Sequence, residues 1–204
     1  MIYIASMNLR GARAPRPDCV VTINVTSAQG KDHPNRRDFS PMTPVKGGYH
    51  GYYNFEAAWQ SGKRFQDIPD HHVKSFWKNV KEPKRRYPGS KGKKVLRASF
   101  DWCFPNEEMD YVTSRKRVYV PFYHDLMKDT EMAQYWKEQA RNGTDIVIYD
   151  FDGPRLEDGG VTCTEVTVEL LREKINDTRF PFGHGYVVAA YLAGIDVNEF
   201  VINS

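Results

Sequence analysis

The spacing of apolar and polar positions divides the chain into short β-like runs and helical stripes. Residues 1–5 form a short apolar run that suits a strand. Residues 10–18 are punctuated by Gly and Pro and predict a loop. Residues 20–26 alternate and are β-branched, which favours a second strand. Residues 29–38 are polar and carry Lys31, Arg36 and Arg37, and residues 39–44 are expected to be extended because Pro41 and Pro44 bar a helix. Gly47-Gly48 reads as a turn. A helix then begins near Asn54, whose side-chain oxygen can cap the first turn. At roughly 100° per residue, Phe55, Ala58, Trp59, Gly62 and Phe65 share one side as a core stripe. Glu56, Gln60 and Lys63 fall together in a narrow sector beside Trp59.

Further along, Pro83, Pro88, Gly89 and Gly92 break the second half of residues 70–97 into loop. Residues 110–142 read as mostly helical, divided into two by Pro121 and by Lys128-Asp-Thr130, with Thr130 as a cap and Asn142-Gly143 as the stop. Residues 144–149 are a buried-strand pattern running into the turn Asp150-Phe-Asp-Gly-Pro154. Thr162-Cys-Thr-Glu165 fits a capping box, with Thr162 opening a helix to about Ile175. Gly183-His-Gly185 precedes residues 186–193, apolar on nearly all sides and so a core helix. Amide groups exposed at such a start can bind phosphate. His184 alone assigns nothing.

Length fits one domain, and no apolar run approaches the roughly 18 residues of a spanning helix. The start of the chain lacks a charged segment followed by a long apolar one, so no secretion signal is expected. Cys19, Cys103 and Cys163 are odd in number and widely spaced, which suits neither a disulfide framework nor a zinc motif. A reducing, cytoplasmic setting is the default expectation, with no membrane partner, metal or cofactor. The net charge of +3 names no partner, but its distribution is uneven. Nine Lys or Arg lie between Lys78 and Arg97 against one acid, Glu82, and Arg115, Lys116 and Arg117 cluster again. The first run is either a solvated loop or a phosphate-facing rim for DNA or RNA, with Trp77 and Tyr87 as stacking surfaces.

Two constellations carry chemistry. Glu56, Gln60 and Lys63 bring a carboxylate, an amide and an amine to one helix edge; the plainer reading is a solvated ion-pair face. Residues 146–153 end a hydrophobic strand in Asp150-Phe-Asp152-Gly153. That resembles the nucleophile motif of haloacid-dehalogenase-type phosphatases, where Asp150 would attack phosphorus and Asp152 act as acid/base with magnesium. Here Pro154 replaces that family's Thr, about fifty residues follow, and no later acidic pair completes a magnesium site.

A second resemblance covers more of the chain. Asp38-Phe39-Ser40, a Gly-rich turn, then Asn54-Phe-Glu-Ala-Ala-Trp-Gln-Ser-Gly-Lys-Arg-Phe65 resembles the opening of the NADAR (YbiA-like) family. Glu56, Gln60 and Lys63 stand at the family's spacing, with Arg64 inserted before Phe65. Residues 111–127, 135–150 and 183–192 follow in family order. Pro41-Met42 depart from its Asn-Phe, Tyr149-Asp150 stands at its acidic strand end, and its Trp-Gly pair has no match before Gly183. The resemblance implies one mainly helical α+β domain with a small sheet over residues 1–204, including an N-terminal extension (1–36) and a basic insert (78–108).

It also implies hydrolysis of an N-glycosidic bond in a nucleotide, an ADP-ribosyl adduct or a modified nucleic-acid base. Such cleavage passes an oxocarbenium-like state and needs nearby negative charge and often a proton for the leaving base. Glu56 would supply the charge or activate water. Lys63 would orient Glu56, donate a proton or, as a neutral amine, attack an opened sugar. Gln60 would hold a sugar hydroxyl, Trp59 or Tyr53 would stack on the base, and Arg37 with the turn Gly183, His184 and Gly185 would face a phosphate. Asp38, Phe39, Ser40 and Asp150 complete the implied substrate-binding set. The competing readings are a non-catalytic nucleic-acid-binding module and a magnesium phosphatase using Asp150 and Asp152.

Overall fold

The computed structural model describes residues 1–9, 17–18 and 20–202; residues 10–16 of the expected loop, and Cys19, lie outside them. In chain order the elements are β1 (Ile2–Ser6), β2 (Val21–Asn24), α1 (Pro34–Phe39), α2 (Phe55–Ser61), β3 (Lys63–Phe65), α3 (Asp70–Asn79), β4 (Val95–Ala98) and α4 (Tyr111–Ser114). A π-helical turn over Arg115–Tyr119 leads into α5 (Val120–Met127). Then come α6 (Glu131–Arg141), β5 (Ile146–Asp150), β6 (Cys163–Glu165), α7 (Val168–Asn176), α8 (His184–Ala193) and α9 (Val197–Val201). The chain is α+β. It forms two compact units, one of residues Met1–Ser40 with Val120–Ser204 and one of Pro41–Tyr119. No helix among the described residues is long and apolar enough to cross a membrane.

The first unit is built on a four-stranded sheet in the order β2-β5-β1-β6. β5 runs parallel to both β1 and β2, and β6 closes the other edge antiparallel to β1. The central β5 is buried along its whole length, as expected of a strand whose apolar run does not alternate. Residues 1–36, read as an extension, supply both parallel neighbours of this strand. Against β1 and β5 packs α8, buried almost throughout, as its all-round apolar pattern predicts. Gly153 sits where a Cβ would come within 2.5 Å of the Ala5 and Ser6 backbone, so only glycine lets the turn after β5 cross β1.

Three expectations for this unit are corrected. Phe39, expected to open an extended segment, instead ends α1, which has Pro34 in its first turn and His33 Nδ1 accepting the Asn35 amide at 3.2 Å. Residues 163–165 do not follow a helix cap at Thr162. They form β6, because the β1 edge offers a full set of backbone partners, and α7 is capped by Thr167, whose Oγ1 accepts the Leu170 amide at 3.2 Å. Pro121 does not break a helix. The wider π turn just upstream carries the chain past a residue whose ring and missing N–H a straight α turn resists.

The second unit packs α2 on α3 beside the antiparallel pair β3–β4. Its core holds Tyr52, Ala57, Ala58, Val73, Trp77 and Val80. Val73 and Trp77 are one turn apart on α3 and both fully buried, so Trp77 is a core residue and not a surface for stacking bases. Tyr87 is half-buried and packs on the rim of this core.

Candidate functional site

The helix α2 begins as its sequence predicts. Asn54 Oδ1 accepts the Ala57 amide at 2.8 Å while its Nδ2 donates to the Met42 carbonyl at 2.8 Å. The Glu56 amide, an orphan of the first turn, donates to the Pro41 carbonyl at 3.0 Å. The helix ends sooner than expected, at Ser61, so Lys63 and Phe65 are not on its stripe but in β3, where Lys63 pairs with Ala98. The cause is the corner at Gly62. A Cβ there would lie 2.0 Å from the Phe100 ring, and glycine lets that ring close over the end of the helix.

Glu56 and Gln60 are one turn apart, and Gln60 Nε2 donates to Glu56 Oε1 at 2.5 Å and to the Arg85 carbonyl at 3.3 Å. Glu56 is half-buried and Gln60 is buried. The carboxylate is therefore oriented by a side chain that is itself held. Trp59, only 4% exposed, is stacked at 5.3 Å on Phe100 and at 6.2 Å on Tyr111, with Tyr119 tilted against it at 4.9 Å. Such burial leaves Trp59 little face for a base. It holds a cation instead. The Lys63 ammonium sits 5.5 Å from the Trp59 ring centroid and 5.6 Å from that of Tyr111, an aromatic seat for a positive charge. Tyr53 is half-buried.

Two residues of this cluster have no counterpart among the sequence-predicted site residues. Arg115 is buried, with its guanidinium carbon 4.5 Å from the Tyr111 ring centroid, so Tyr111 carries Arg115 as well as Lys63. In the sequence it stands only as one of three adjacent cations. Arg64 is 2% exposed; it donates to the carbonyls of Ser61 at 2.6 Å, Lys63 at 2.9 Å and Ser99 at 3.3 Å, and its Nε lies 3.3 Å from Asp70. Burial lowers its guanidinium pKa, against the opposing pull of Asp70 and Asp101. It pins the corner between α2 and β3.

The other sequence-predicted residues belong to the first unit and form two groups. Arg37 makes a paired contact with Asp38, at 2.6 and 3.0 Å, and reaches Glu131 at 2.9 Å. Those hydrogen bonds, Asp38 first, raise the Arg37 pKa. Asp38 also accepts the Met132 amide at 2.9 Å and so caps α6 in place of Thr130, whose hydroxyl turns back to the Met127 carbonyl at 2.8 Å. Burial works to raise the Asp38 pKa, but the bonds from Arg37 and Met132 and the Arg37 charge hold it below the ordinary value. Phe39 is buried, with its carbonyl accepting the Tyr123 hydroxyl at 2.6 Å, and the Ser40 amide closes α1 on Arg36.

In the second group the buried Asp150 accepts the Gly185 amide at 2.8 Å and lies 3.6 Å from His184 Nδ1. His184 Nε2 bonds the Val25 carbonyl at 2.8 Å. Gly183 and Gly185 each leave room for that carboxylate, since a Cβ on either would come within 2.5 Å of Asp150. The amide expected to face a phosphate thus already serves a carboxylate. Tyr123 joins the two groups, its ring 5.8 Å from that of His184. Its hydroxyl pKa is raised far above the ordinary value by burial and by Asp150. No group of three or more His, Cys, Asp or Glu among the described residues is placed to hold a metal ion.

No protein-family model, no curated protein and no solved structure matches this chain.

Proposed function

We propose that the second unit carries the active site of an N-glycoside hydrolase, NADAR-like in its opening motif and acting on a nucleotide, an ADP-ribosyl adduct or a modified nucleic-acid base. One observation carries the reading: a carboxylate oriented by Gln60 and a lysine ammonium seated on Trp59 and Tyr111 stand on one helix and the strand that follows it. Cleavage breaks the bond from the anomeric carbon to the base nitrogen and forms one from that carbon to water oxygen. Glu56 takes the water proton or offsets the positive charge growing on the sugar, and Lys63 gives the leaving nitrogen its proton. Gln60 fixes the Glu56 rotamer, and Tyr53 is the stacking ring.

The test is release of free base, separated by liquid chromatography, from NAD, an ADP-ribosylated nucleoside and modified-base nucleosides, with parent protein and Glu56→Gln side by side. Release by the parent that falls at least ~100-fold in the variant supports the reading. No release from any of these, or parental turnover in Glu56→Gln, refutes it. Magnesium-dependent phosphate release lost in Asp150→Asn would assign the chemistry to the phosphatase alternative instead.

A further inference from the structure

The second unit holds sixteen Lys or Arg against eight Asp or Glu, a net +8, whereas the rest of the chain holds thirteen against eighteen. The modest overall charge therefore conceals a strongly cationic unit, and such a field concentrates polyanions. Within this unit a cavity of about 300 Å³ opens between two glycine turns and the end of α3. Its lining includes Gly47, Gly51, Tyr52, Tyr53, Lys78 and Lys81, and no acidic residue. Among the described residues neither lysine is in an ion pair, whereas Lys84 nearby is bound to Glu82 at 2.5 Å and Arg97 to Asp70 at 3.1 Å. Gly47 and Gly51, both at φ +83°, allow the two turns that wall it, closed by Gly48 on Val45 at 2.8 Å and by Tyr52 on Tyr49 at 2.9 Å. Gly47, Gly48 and Gly51 thus give part of the cavity wall without side chains, and Lys78 and Lys81 line the same cavity.

We infer that this cavity is a phosphate subsite, with Lys78 and Lys81 holding the phosphate of a nucleotide or of a single nucleic-acid strand and Tyr53 stacking on the attached base. The volume is that of a small ligand group, not of a whole cofactor. Two point-like cations suit a phosphate, and a half-buried tyrosine offers a base a flat face at small entropic cost. The inference shares Tyr53 with the proposed hydrolase site, but its test reads binding and not turnover at Glu56.

The experiment is fluorescence anisotropy of labelled dT10, with competition by AMP, pyrophosphate and adenosine, for the parent, Lys78→Gln/Lys81→Gln and Lys91→Gln/Lys94→Gln. All four lysines are exposed, and melting curves check that the variants fold. The expected result is at least ~10-fold weaker dT10 binding in the cavity variant, with a salt slope flattened by about 1.4 for two lost phosphate contacts, against less than about threefold for Lys91→Gln/Lys94→Gln. AMP and pyrophosphate should compete, and adenosine should not. Direct titration of labelled AMP separates the sources: AMP binding without dT10 binding supports a free nucleotide, and dT10 binding tighter than AMP binding supports a strand. Equal losses in both lysine pairs, competition by adenosine as strong as by AMP, or no binding of any phosphate probe overturns the inference.

Discussion

Gly62→Ala separates two opposite physical expectations. Gly62 has φ −80° and ψ −18°, an ordinary right-handed conformation that alanine adopts freely. On backbone grounds alone the substitution stabilises by about 0.4–1 kcal/mol, because alanine restricts the unfolded chain. The packing argues the other way. The new Cβ would lie 2.0, 2.3 and 2.5 Å from three carbons of the Phe100 ring, where ordinary contact starts near 3.4 Å. Phe100 is 1% exposed and stacked on Trp59, so its ring cannot swing into solvent. Overpacking of this kind costs about 1–3 kcal/mol, and the net change should be destabilising by about 1–2 kcal/mol after the entropy gain. Urea unfolding measures it. Phe100→Leu in the Gly62→Ala background should recover part of the loss, as a double-mutant cycle would reveal. A Gly62→Ala protein more stable than the parent would refute the close approach, and with it the account of why α2 stops at Ser61.

Three further outcomes are expected. Lys63→Arg should lose turnover about as fully as Lys63→Ala while both melt near the parent, because a guanidinium does not release a proton near neutral pH; a fully active Lys63→Arg would limit Lys63 to a charge. Asp38→Ala should cost about 1.5–3 kcal/mol through its hydrogen bonds to Arg37 and Met132. Because the folded Asp38 pKa lies below its unfolded value of about 3.9, this contribution is whole above that pH and lost as pH falls through the folded value. Stability measured from pH 6 down to pH 2 should therefore fall less steeply in Asp38→Ala, and parallel curves would refute the assignment. Arg64→Lys should destabilise by at least about 2 kcal/mol, since an ammonium cannot span the Ser61, Lys63 and Ser99 carbonyls as a planar fork does.

What could be read from the sequence was local. The cap at Asn54, the buried β5 and the all-apolar α8 follow from side-chain chemistry within a few residues of each place, and all three stand in the structure. What failed depended on distant partners. Residues 163–165 look like a helix start until β1, some 160 residues away, offers them an edge. Trp77 sits in a basic stretch that suggests surface, yet its one-turn spacing from Val73 is a core signal that the charge around it obscured. Thr130 has the right type for a cap, but Asp38, far back in the chain, takes the amide first.

The same division runs through the candidate site. Glu56 and Gln60 are legible because four residues on a helix is one turn, and their contact is the shortest inference in the chain. Lys63 kept the right spacing for a helix and stands on a strand. The difference changes how the two side chains are held. On a helix its ammonium would ride with Glu56 and share every motion of that backbone. On β3 it is placed separately, by pairing with Ala98, by the Phe100 ring over Gly62 and by the buried Arg64 that ties Ser61, Lys63 and Ser99 together. The seat over Trp59 and Tyr111 then fixes where the charge can sit. The backbone positions of Glu56 and Lys63 are thus set by different elements, the helix α2 and the strand β3. The buried Arg64, which donates to the Ser61, Lys63 and Ser99 carbonyls, is thus the residue that ties this corner together.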